Sequence, residues 1–299
     1  MSRIERVGLV GIGNMGTPMA ERLVAAGFDV AGFDPSPDAR ARLAAVGGTA
    51  VEALDSLVDR DLVILMLPNS RVVQSVLVDS GLLDRLDGAR TIVVDMSSSE
   101  PLRTRVLREL ADERGVTFVD APVSGGVPGA IKGTLAVMVG GADAEVEAVR
   151  PVLETFGSVT HVGAVGAGHA LKALNNMLSA VTMLATSEAI HTGIAFGLDP
   201  TLMAEVISRS SGRSGSSDNK WPNFVIPGTY DAGFSASMLL KDMRIATSLA
   251  HELGVPFRSN DQIADLWEEA IDELGGDIDH TEIARWVERH VTRPSGLAP

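Results

Sequence analysis

Short apolar runs alternate with longer amphipathic stretches through the first half of the chain. The apolar runs predict strands, and the amphipathic stretches predict helices. Strands that alternate with helices in this way indicate an α/β domain with a parallel sheet and helices on both faces. The predicted strands are Arg6–Val10, Val30–Phe33, Leu62–Leu67, Thr91–Val94, Thr117–Val119 and Leu135–Val139, and the clearest predicted helices are Met15–Ala26 and Pro101–Arg114.

The pattern changes after residue 165. A long segment from Gly168 to Phe196 lacks proline and lacks the alternation of a strand, so it predicts a long, mostly buried helix that joins two domains. Polar residues such as Lys172 and Glu188 interrupt it and argue against a membrane span. We therefore expect an α/β domain over residues 1–165 and an all-α domain over residues 166–299. The further predicted helices are Thr201–Ser210, Leu239–Leu253, Asp261–Leu274 and Thr281–His290.

Composition narrows the possible functions. The length of 299 residues suits two domains, and the net charge of −14 argues against a nucleic-acid partner. The chain has no cysteine, which excludes disulfides, thiolate metal sites and cysteine nucleophiles, and its histidines show no paired metal-ligand spacing. We expect no metal and no membrane partner. Because the N-terminus runs into a predicted strand within a few residues, we also expect a cytoplasmic protein.

A glycine-rich loop between the first predicted strand and helix predicts dinucleotide binding. In a loop that connects a strand to a helix, such glycines allow a tight turn, close approach of a pyrophosphate, and close packing of the helix against the strand. Asp34 ends the second predicted strand, where it would accept hydrogen bonds from the ribose hydroxyls of NAD and repel a 2′-phosphate. The alternative for Asp34 is a cap of the next helix. The loop reads Gly11-Ile12-Gly13-Asn14-Met15-Gly16.

A second loop, Ser124-Gly125-Gly126, comes just after a predicted strand, where open parallel sheets bind ligands. A serine followed by two glycines exposes backbone N–H groups that can surround an anion. The alternative is an ordinary glycine-rich turn, and the loop by itself does not favour either.

Lys172 and Asn176 lie four residues apart, on one face of the predicted long helix. A lysine beside a nicotinamide can exchange a proton with the oxygen that hydride transfer leaves charged. The chain has 25 Lys and Arg residues but retains lysine at only four positions, which favours a specific role for the amine. The alternative for Lys172 is an exposed lysine on the helix surface without a catalytic role. The nearby His169 is a weaker candidate for catalysis, because a capping or packing role explains it as well.

Several motifs in order make the chain resemble the β-hydroxyacid dehydrogenase family, which includes 3-hydroxyisobutyrate dehydrogenase and tartronate semialdehyde reductase. The resemblance covers almost the whole chain. Several ordered motifs are far more specific than one glycine loop. The motifs are GLVGIGNMG, Leu67-Pro68, DMSSSEP, DAPVSGG, GTLAVMVGG, GHALKALNN and Lys241-Asp242.

The resemblance implies a Rossmann-type doubly wound sheet, a long interdomain helix, and an all-α C-terminal domain that often dimerises, hence a homodimer or homotetramer. It implies that Lys172 is the catalytic acid/base, with Asn176 beside it. Ser124, Gly125, Gly126 and Asn176 would hold the carboxylate and hydroxyl of a small-molecule substrate. Leu67, Pro68, Ser98 and Lys241 would contact the cofactor, NAD.

Two departures from related families refine the expected reaction. Asn175 stands where 6-phosphogluconate dehydrogenases have histidine, which disfavours decarboxylation because an amide is not an acid. Lys172 is usually absent from the similar imine reductases. We therefore expect an NAD-dependent dehydrogenase of a small 3-hydroxy acid. The alternatives are a tartronate-semialdehyde-type aldehyde reductase and a catalytically silent dinucleotide-binding protein.

The segment from Arg209 to Lys220 is polar and basic in an acidic chain. By the resemblance, it falls where the helical domain closes over the substrate. Local positive charge there would attract an anion, and Arg213, flanked by Gly212 and Gly215, is our predicted contact for the distal end of the substrate. The alternative is an exposed connector.

Overall fold

The computed structural model describes residues 4–291, and the chain divides into two compact units. The first unit runs from Met1 to Lys172 and the second from Ala173 to Pro299, so the division falls inside one long helix. The domain boundary expected after residue 165 stays a prediction, since compactness alone divides the chain within that helix.

A mostly parallel sheet forms the centre of the first unit. The parallel neighbours run in the order β3-β2-β1-β4-β5-β6, while β8 lies antiparallel to both β6 and β7 and parallel to β9. This order confirms the predicted Rossmann-type doubly wound sheet, and the order reverses between β1 and β4, where such sheets bind ligands. The strands are β1 (Arg6–Val10), β2 (Asp29–Phe33), β3 (Thr49–Ala50), β4 (Leu62–Leu65), β5 (Ile92–Asp95), β6 (Thr117–Asp120), β7 (Val123–Ser124), β8 (Leu135–Gly140) and β9 (Gly157–Gly163).

Helices connect these strands and make up the second unit. Those of the first unit are α1 (Gly16–Ala25), α2 (Pro37–Ala45), α3 (Ser70–Gln74), α4 (Leu82–Arg85), α5 (Pro101–Asp112), α6 (Gly126–Lys132) and α7 (Asp143–Leu153). The helix α8 (Ala167–Phe196) passes from the first unit to the second, which also contains α9 (Pro200–Ser208), α10 (Ala236–Glu252), α11 (Arg258–Leu274) and α12 (Ile283–Arg289). Shorter helical segments are 3₁₀ turns at Leu54–Leu57 and His280–Glu282 and π-helical stretches at Ser75–Asp79 and Ser216–Val225.

The central strands are apolar throughout because both faces of the sheet are covered. In β4, Ile64 packs into one hydrophobic cluster, while its neighbours Val63 and Leu65 pack into another. Successive side chains of a strand point to opposite faces, so a strand buried on both sides shows a continuous apolar run rather than an alternating pattern. This explains why the sequence predicted the central strands well.

The sequence did not predict the sheet margins. Two-residue strands such as β3 and β7 are too short to show a pattern. The edge strand β9 is half-exposed along most of its length, so it lacks an apolar run. The predicted strand Leu62–Leu67 ends early, at Leu65, because the Leu67 N–H turns away to donate to the Ser97 hydroxyl at 2.9 Å.

The second unit is all helical between residues 173 and 291, apart from turns and one isolated β-bridge, as predicted. Its core contains the side chains of Trp221, Trp267 and Trp286. Within residues 4–291, no helix combines the length and apolarity needed to cross a bilayer, and this includes α8.

Acid should destabilise the second unit through His280. Burial, together with the nearby Lys220 ammonium, lowers the pKa of His280 from 6.5 to about 4. Between these two values the unfolded chain binds a proton that the folded unit does not. The stability associated with neutral His280 is therefore fully present above pH 6.5 and is lost as the pH falls toward 4, by about 3 kcal/mol in total.

Urea unfolding followed by tryptophan fluorescence measures this effect, because all three tryptophans lie in the second unit. His280→Asn keeps a donor for the Phe234 carbonyl and does not titrate, so the decline between pH 6.5 and 4 should become shallower. His251→Asn, at a histidine whose side chain is 59% exposed, is the control for replacing a histidine by asparagine. An unchanged slope in His280→Asn would show that His280 is not the titrating group.

Candidate active site

The glycine-rich loop after β1 has the shape that a dinucleotide needs. Gly11 has a φ of +94°, and a Cβ there would overlap the Met66 carbonyl oxygen. A Cβ at Gly16 would overlap the Gly11 carbonyl, whereas a Cβ at Gly13 would have no heavy atom within 4 Å. The loop is therefore packed tightly at both ends and open at Gly13, in front of the N-terminus of α1. These residues fit the pyrophosphate of NAD.

Asp34 lies beside this loop at the end of β2. One carboxylate oxygen accepts the Ile12 N–H at 2.8 Å, and the other accepts the Ser36 N–H at 2.9 Å. Ser36, not Asp34, caps α2, since its hydroxyl accepts the Ala39 N–H. Each carboxylate oxygen retains a further lone pair and can accept another hydrogen bond. The proposed contact of Asp34 with the ribose hydroxyls stays a prediction.

Two arginines lie close to Asp34. Arg40 Nη1 donates to the Asp34 carbonyl oxygen at 2.7 Å, and Arg42 Nη2 donates to the Ile12 carbonyl oxygen at 3.3 Å. Both guanidinium groups are thus bound to the main chain around the carboxylate. They bring positive charge close to the Asp34 carboxylate, which would soften any repulsion of a 2′-phosphate by Asp34.

The loops after β4 and β5 are joined by Ser97, whose hydroxyl accepts the Leu67 N–H at 2.9 Å. The buried Asp95, at the end of β5, accepts the Ser97 N–H at 2.9 Å and the Ser99 hydroxyl at 2.8 Å. Leu67, Pro68 and Ser98 therefore lie on two loops that Asp95 and Ser97 hold together. Sequence reasoning did not select Asp95, although its place at a strand end was a usable signal.

The Ser124–Gly126 loop lies between β7 and α6. Ser124 is the last residue of β7 and is opposite Ala136 of β8. Gly125 and Gly126 follow with φ values of +131° and +61°, which favour glycine. The chain therefore turns sharply here and leaves Ser124 partly exposed. The proposed substrate role of the loop stays a prediction.

Asn176 belongs to α8 and is buried in the second unit. Its Nδ2 donates to Asp242 Oδ2 at 2.6 Å, and Lys241 Nζ lies 3.3 Å from Asp242 Oδ1. An ionised carboxylate only accepts hydrogen bonds, so Asp242 fixes which end of the Asn176 amide faces it. Asp242 is part of the Lys241-Asp242 motif, but the sequence alone did not indicate a role for it.

Lys172 lies one helical turn before Asn176 on α8 and is partly buried. The helix thus has the spacing that the sequence predicted for these two residues. Their catalytic roles, like the cofactor contacts of Leu67, Pro68, Ser98 and Lys241, remain predictions.

The basic segment does not form a cluster of cations. Arg213 Nε donates to Asp218 at 2.6 Å, and its side chain is 68% exposed. That hydrogen bond lowers the pKa of Asp218, so the pair is charged at neutral pH. Arg209 pairs with Glu205, and Lys220 is buried against the Ser179 hydroxyl at 2.7 Å. Arg213 as a substrate contact stays a prediction, but its charge is already balanced by Asp218.

Residues 6–166 match the family described as the NAD binding domain of 6-phosphogluconate dehydrogenase. Residues 166–287 match the family described as NAD-binding of NADP-dependent 3-hydroxyisobutyrate dehydrogenase. A 2-(hydroxymethyl)glutarate dehydrogenase from Eubacterium barkeri is 38% identical over 258 residues, which cover 86% of each chain. The chain belongs to the 3-hydroxyisobutyrate dehydrogenase family. It is an NAD-dependent hydroxyacid dehydrogenase.

Other relatives of this dehydrogenase agree. An NAD-dependent L-serine dehydrogenase from Pseudomonas aeruginosa is 39% identical over 256 residues, covering 83% of this chain and 86% of the relative. The structure of Mycobacterium tuberculosis 3-hydroxyisobutyrate dehydrogenase with L-serine is similar with a TM-score of 0.90 and 32% identity, covering 95% of this chain and 99% of the other.

Asp34 should make the dehydrogenase bind NADH more tightly than NADPH. Its carboxylate, held by two backbone N–H groups, would face the additional phosphate. Asp34→Asn keeps an acceptor for the Ile12 N–H but removes the charge. We expect the preference to narrow at least about tenfold, or about 1.4 kcal/mol. Fluorescence titration with both reduced cofactors measures the two affinities, and Asp38→Asn, at an exposed residue of α2, is the control. Tighter NADPH binding by the native protein would contradict this role.

Asp242 should be needed for turnover through Asn176 and Lys241. Asp242→Asn retains the shape but removes the charge and lets the Asn176 amide rotate. Loss of a hydrogen bond to a charged group is worth about 1.5–3 kcal/mol, so we expect kcat to fall about 10- to 100-fold. The control is Asp265→Asn, at an exposed acid that pairs with Arg244. Native kcat in a folded Asp242→Asn variant would rule this out.

Proposed function

We propose that this dehydrogenase oxidises a small acid of the form HOCH₂–CHR–COO⁻, with the 3-hydroxyisobutyrate type as the preferred case. The names of the relatives support this class. 2-(Hydroxymethyl)glutarate, L-serine and 3-hydroxyisobutyrate all carry a primary hydroxyl on the carbon next to the one that bears a carboxylate, and they differ in R. The single observation that carries the proposal is Lys172 and Asn176, one turn apart on α8, which begins in the NAD-binding unit.

Each proposed site residue has a task in this reaction. Bound NAD supplies a hydride acceptor at C4 of its nicotinamide. The Ser124–Gly126 loop would hold the carboxylate and so fix where the carbinol carbon lies. Lys172, as the free amine, would take the hydroxyl proton while the carbinol carbon loses its hydride, and the product is an aldehyde. Asn176, oriented by Asp242, would hold the hydroxyl oxygen.

The same site run in reverse reduces the aldehyde, with the Lys172 ammonium as the proton donor. Tartronate semialdehyde belongs to this class, with R as a hydroxyl group. A polar R could be met by Arg213, provided that the arginine exchanges its contact with Asp218. A silent binding protein would have no need of an amine at position 172.

Lys172 variants test the function directly. Lys172→Ala removes the amine, and Lys172→Arg keeps the charge but does not release a proton at working pH. We expect both to lose kcat by about 10²–10⁴-fold on the best substrate of a panel of 3-hydroxy acids, while NADH still binds. Lys132→Ala, at an exposed lysine of α6, is the matched control. Near-native turnover by both Lys172 variants would refute the proposed mechanism.

The proposal includes a homodimer or homotetramer. Large apolar side chains are exposed at the end of α8 and along α9, and contiguous exposed apolar surface is typical of protein interfaces. We place the subunit contact there and name these residues the α9 surface. They are Phe196, Leu198, Leu202 and Val206.

Leu202→Glu should shift the native oligomer toward monomer, because a carboxylate would be buried in an apolar contact. Sedimentation velocity measures the change across a range of protein concentrations. Val106→Glu is the control, since Val106 is 54% exposed on α5 and Leu202 is 59% exposed. A monomeric native protein, or an unchanged oligomer in Leu202→Glu, would remove the α9 surface as the contact.

The proposal also places the enzyme in the cytoplasm, where a dissociable nicotinamide cofactor can be reoxidised, and cell fractionation tests that location.

A further inference from the structure

His169 is a buried histidine in the first turn of α8, and its side chain touches two other elements of the first unit. It is 1% exposed. Its Nδ1 lies 2.8 Å from the Thr104 hydroxyl of α5, and its Nε2 lies 3.1 Å from the Ser97 carbonyl oxygen. A carbonyl oxygen only accepts, so Nε2 carries a hydrogen and donates it. The ring therefore links α8 to α5 and to the loop after β5.

Two buried carboxylates flank the same ring. Asp95 Oδ2 lies 3.8 Å from Nε2, and Asp120 Oδ2 lies 3.7 Å from Nδ1. These acids are neighbours, since they end the paired strands β5 and β6 in register. Burial raises the pKa of Asp120, and His169 and two backbone N–H groups oppose the rise. His169 is thus the polar partner between two strand ends.

The first turn of α8 is fastened at the same place. Asp120 accepts the Gly166 N–H at 2.7 Å and the His169 N–H at 2.9 Å, which caps the helix from a distant strand. A Cβ at Gly168 would overlap the Met138 carbonyl oxygen of β8, so the turn lies directly against the sheet. The first residues of the GHALKALNN motif therefore fix the start of α8 against the sheet.

We propose that His169 is a positioning residue for Lys172. The inference rests on the proposed catalytic role of Lys172 and deepens it. Lys172 follows His169 by three residues, about one helical turn, so the position of the first turn of α8 determines the position of the Lys172 Cα and Cβ atoms. His169 also holds the Ser97 carbonyl, next to Ser98. One imidazole thus ties the helix of the proposed acid/base to a loop proposed to contact the cofactor.

Two pairs of variants separate positioning from stability. Thr104→Val removes the hydroxyl partner of His169 at nearly constant volume, and Thr91→Val is its matched control. Thr91 immediately precedes β5 and is 1% exposed, so it is buried like Thr104, and its hydroxyl donates to the Arg60 carbonyl. His169→Gln keeps a donor that reaches the Ser97 carbonyl, whereas His169→Leu keeps volume without any polar atom.

The readouts are kcat per NADH-binding site, KM for the substrate, and the thermal midpoint of each variant. We expect kcat per site to fall about 10²-fold in His169→Leu, since a displacement near 1 Å can cost that much. The fall should be about tenfold in Thr104→Val. KM should change less than about twofold, and His169→Gln should recover most of the loss. Thr91→Val should keep native kcat whatever its thermal midpoint.

Native kcat per site in both folded His169→Leu and Thr104→Val would overturn the proposal. Equal losses of kcat per site in Thr104→Val and Thr91→Val would also overturn it, because the losses would then reflect reduced stability and not a displaced Lys172. If His169→Leu does not fold, Thr104→Val against Thr91→Val decides by itself. The Lys172 variants distinguish failure of this inference from failure of the proposed function. If the Lys172 variants retain turnover, the proposed mechanism fails. If the Lys172 variants lose turnover but the His169 and Thr104 variants keep it, only the positioning role of His169 fails.

Discussion

Backbone N–H groups beyond the ends of a parallel sheet need acceptors, and aspartates at strand ends supply them here. The chain leaves each strand for a loop or a helix start, where the N–H groups have no ladder partner. Asp34, Asp95 and Asp120, at the ends of β2, β5 and β6, each accept from such loops. Their carboxylates shape the glycine loop, the loop after β5, and the start of α8. The loops at the carboxyl ends of the strands, where open parallel sheets bind ligands, are therefore built around three acids.

Residues with a proposed role occur in both units. The dinucleotide loop, the Ser124–Gly126 loop and Lys172 belong to the first unit, and Asn176, Asp242 and Lys241 belong to the second. In the second unit the acid acts on side chains, since Asp242 contacts the Asn176 amide and lies near the Lys241 ammonium. Acids that orient other groups, rather than react, thus recur in both parts of the enzyme.

The sequence predicted those parts of this design that depend on neighbouring residues. β1 was predicted at its observed bounds, because burial on both sides leaves a continuous apolar run. α8 was predicted within one residue at its start, but the expectation that it is mostly buried is wrong, since fewer than half of its residues are buried. The glycine loop was found because its spacing is local. Asp120, His169 and Asp242 escaped notice as partners, because each meets its partner across a long stretch of chain. Asp120 and His169 are 49 positions apart, and Asn176 and Asp242 are 66 apart. No periodicity records contacts of that kind.

The cap that Asp120 places on α8 also bears on how the enzyme assembles. A helix capped by its own neighbours can form its first turn locally, whereas this turn lacks two hydrogen-bond acceptors until β6 is in place. Its formation is thereby coupled to the long-range pairing of the sheet, which is the slow part of folding for such topologies. The amides of Gly166 and His169 should accordingly exchange with solvent in the same cooperative opening as the central strands, not with the fraying of a helix end.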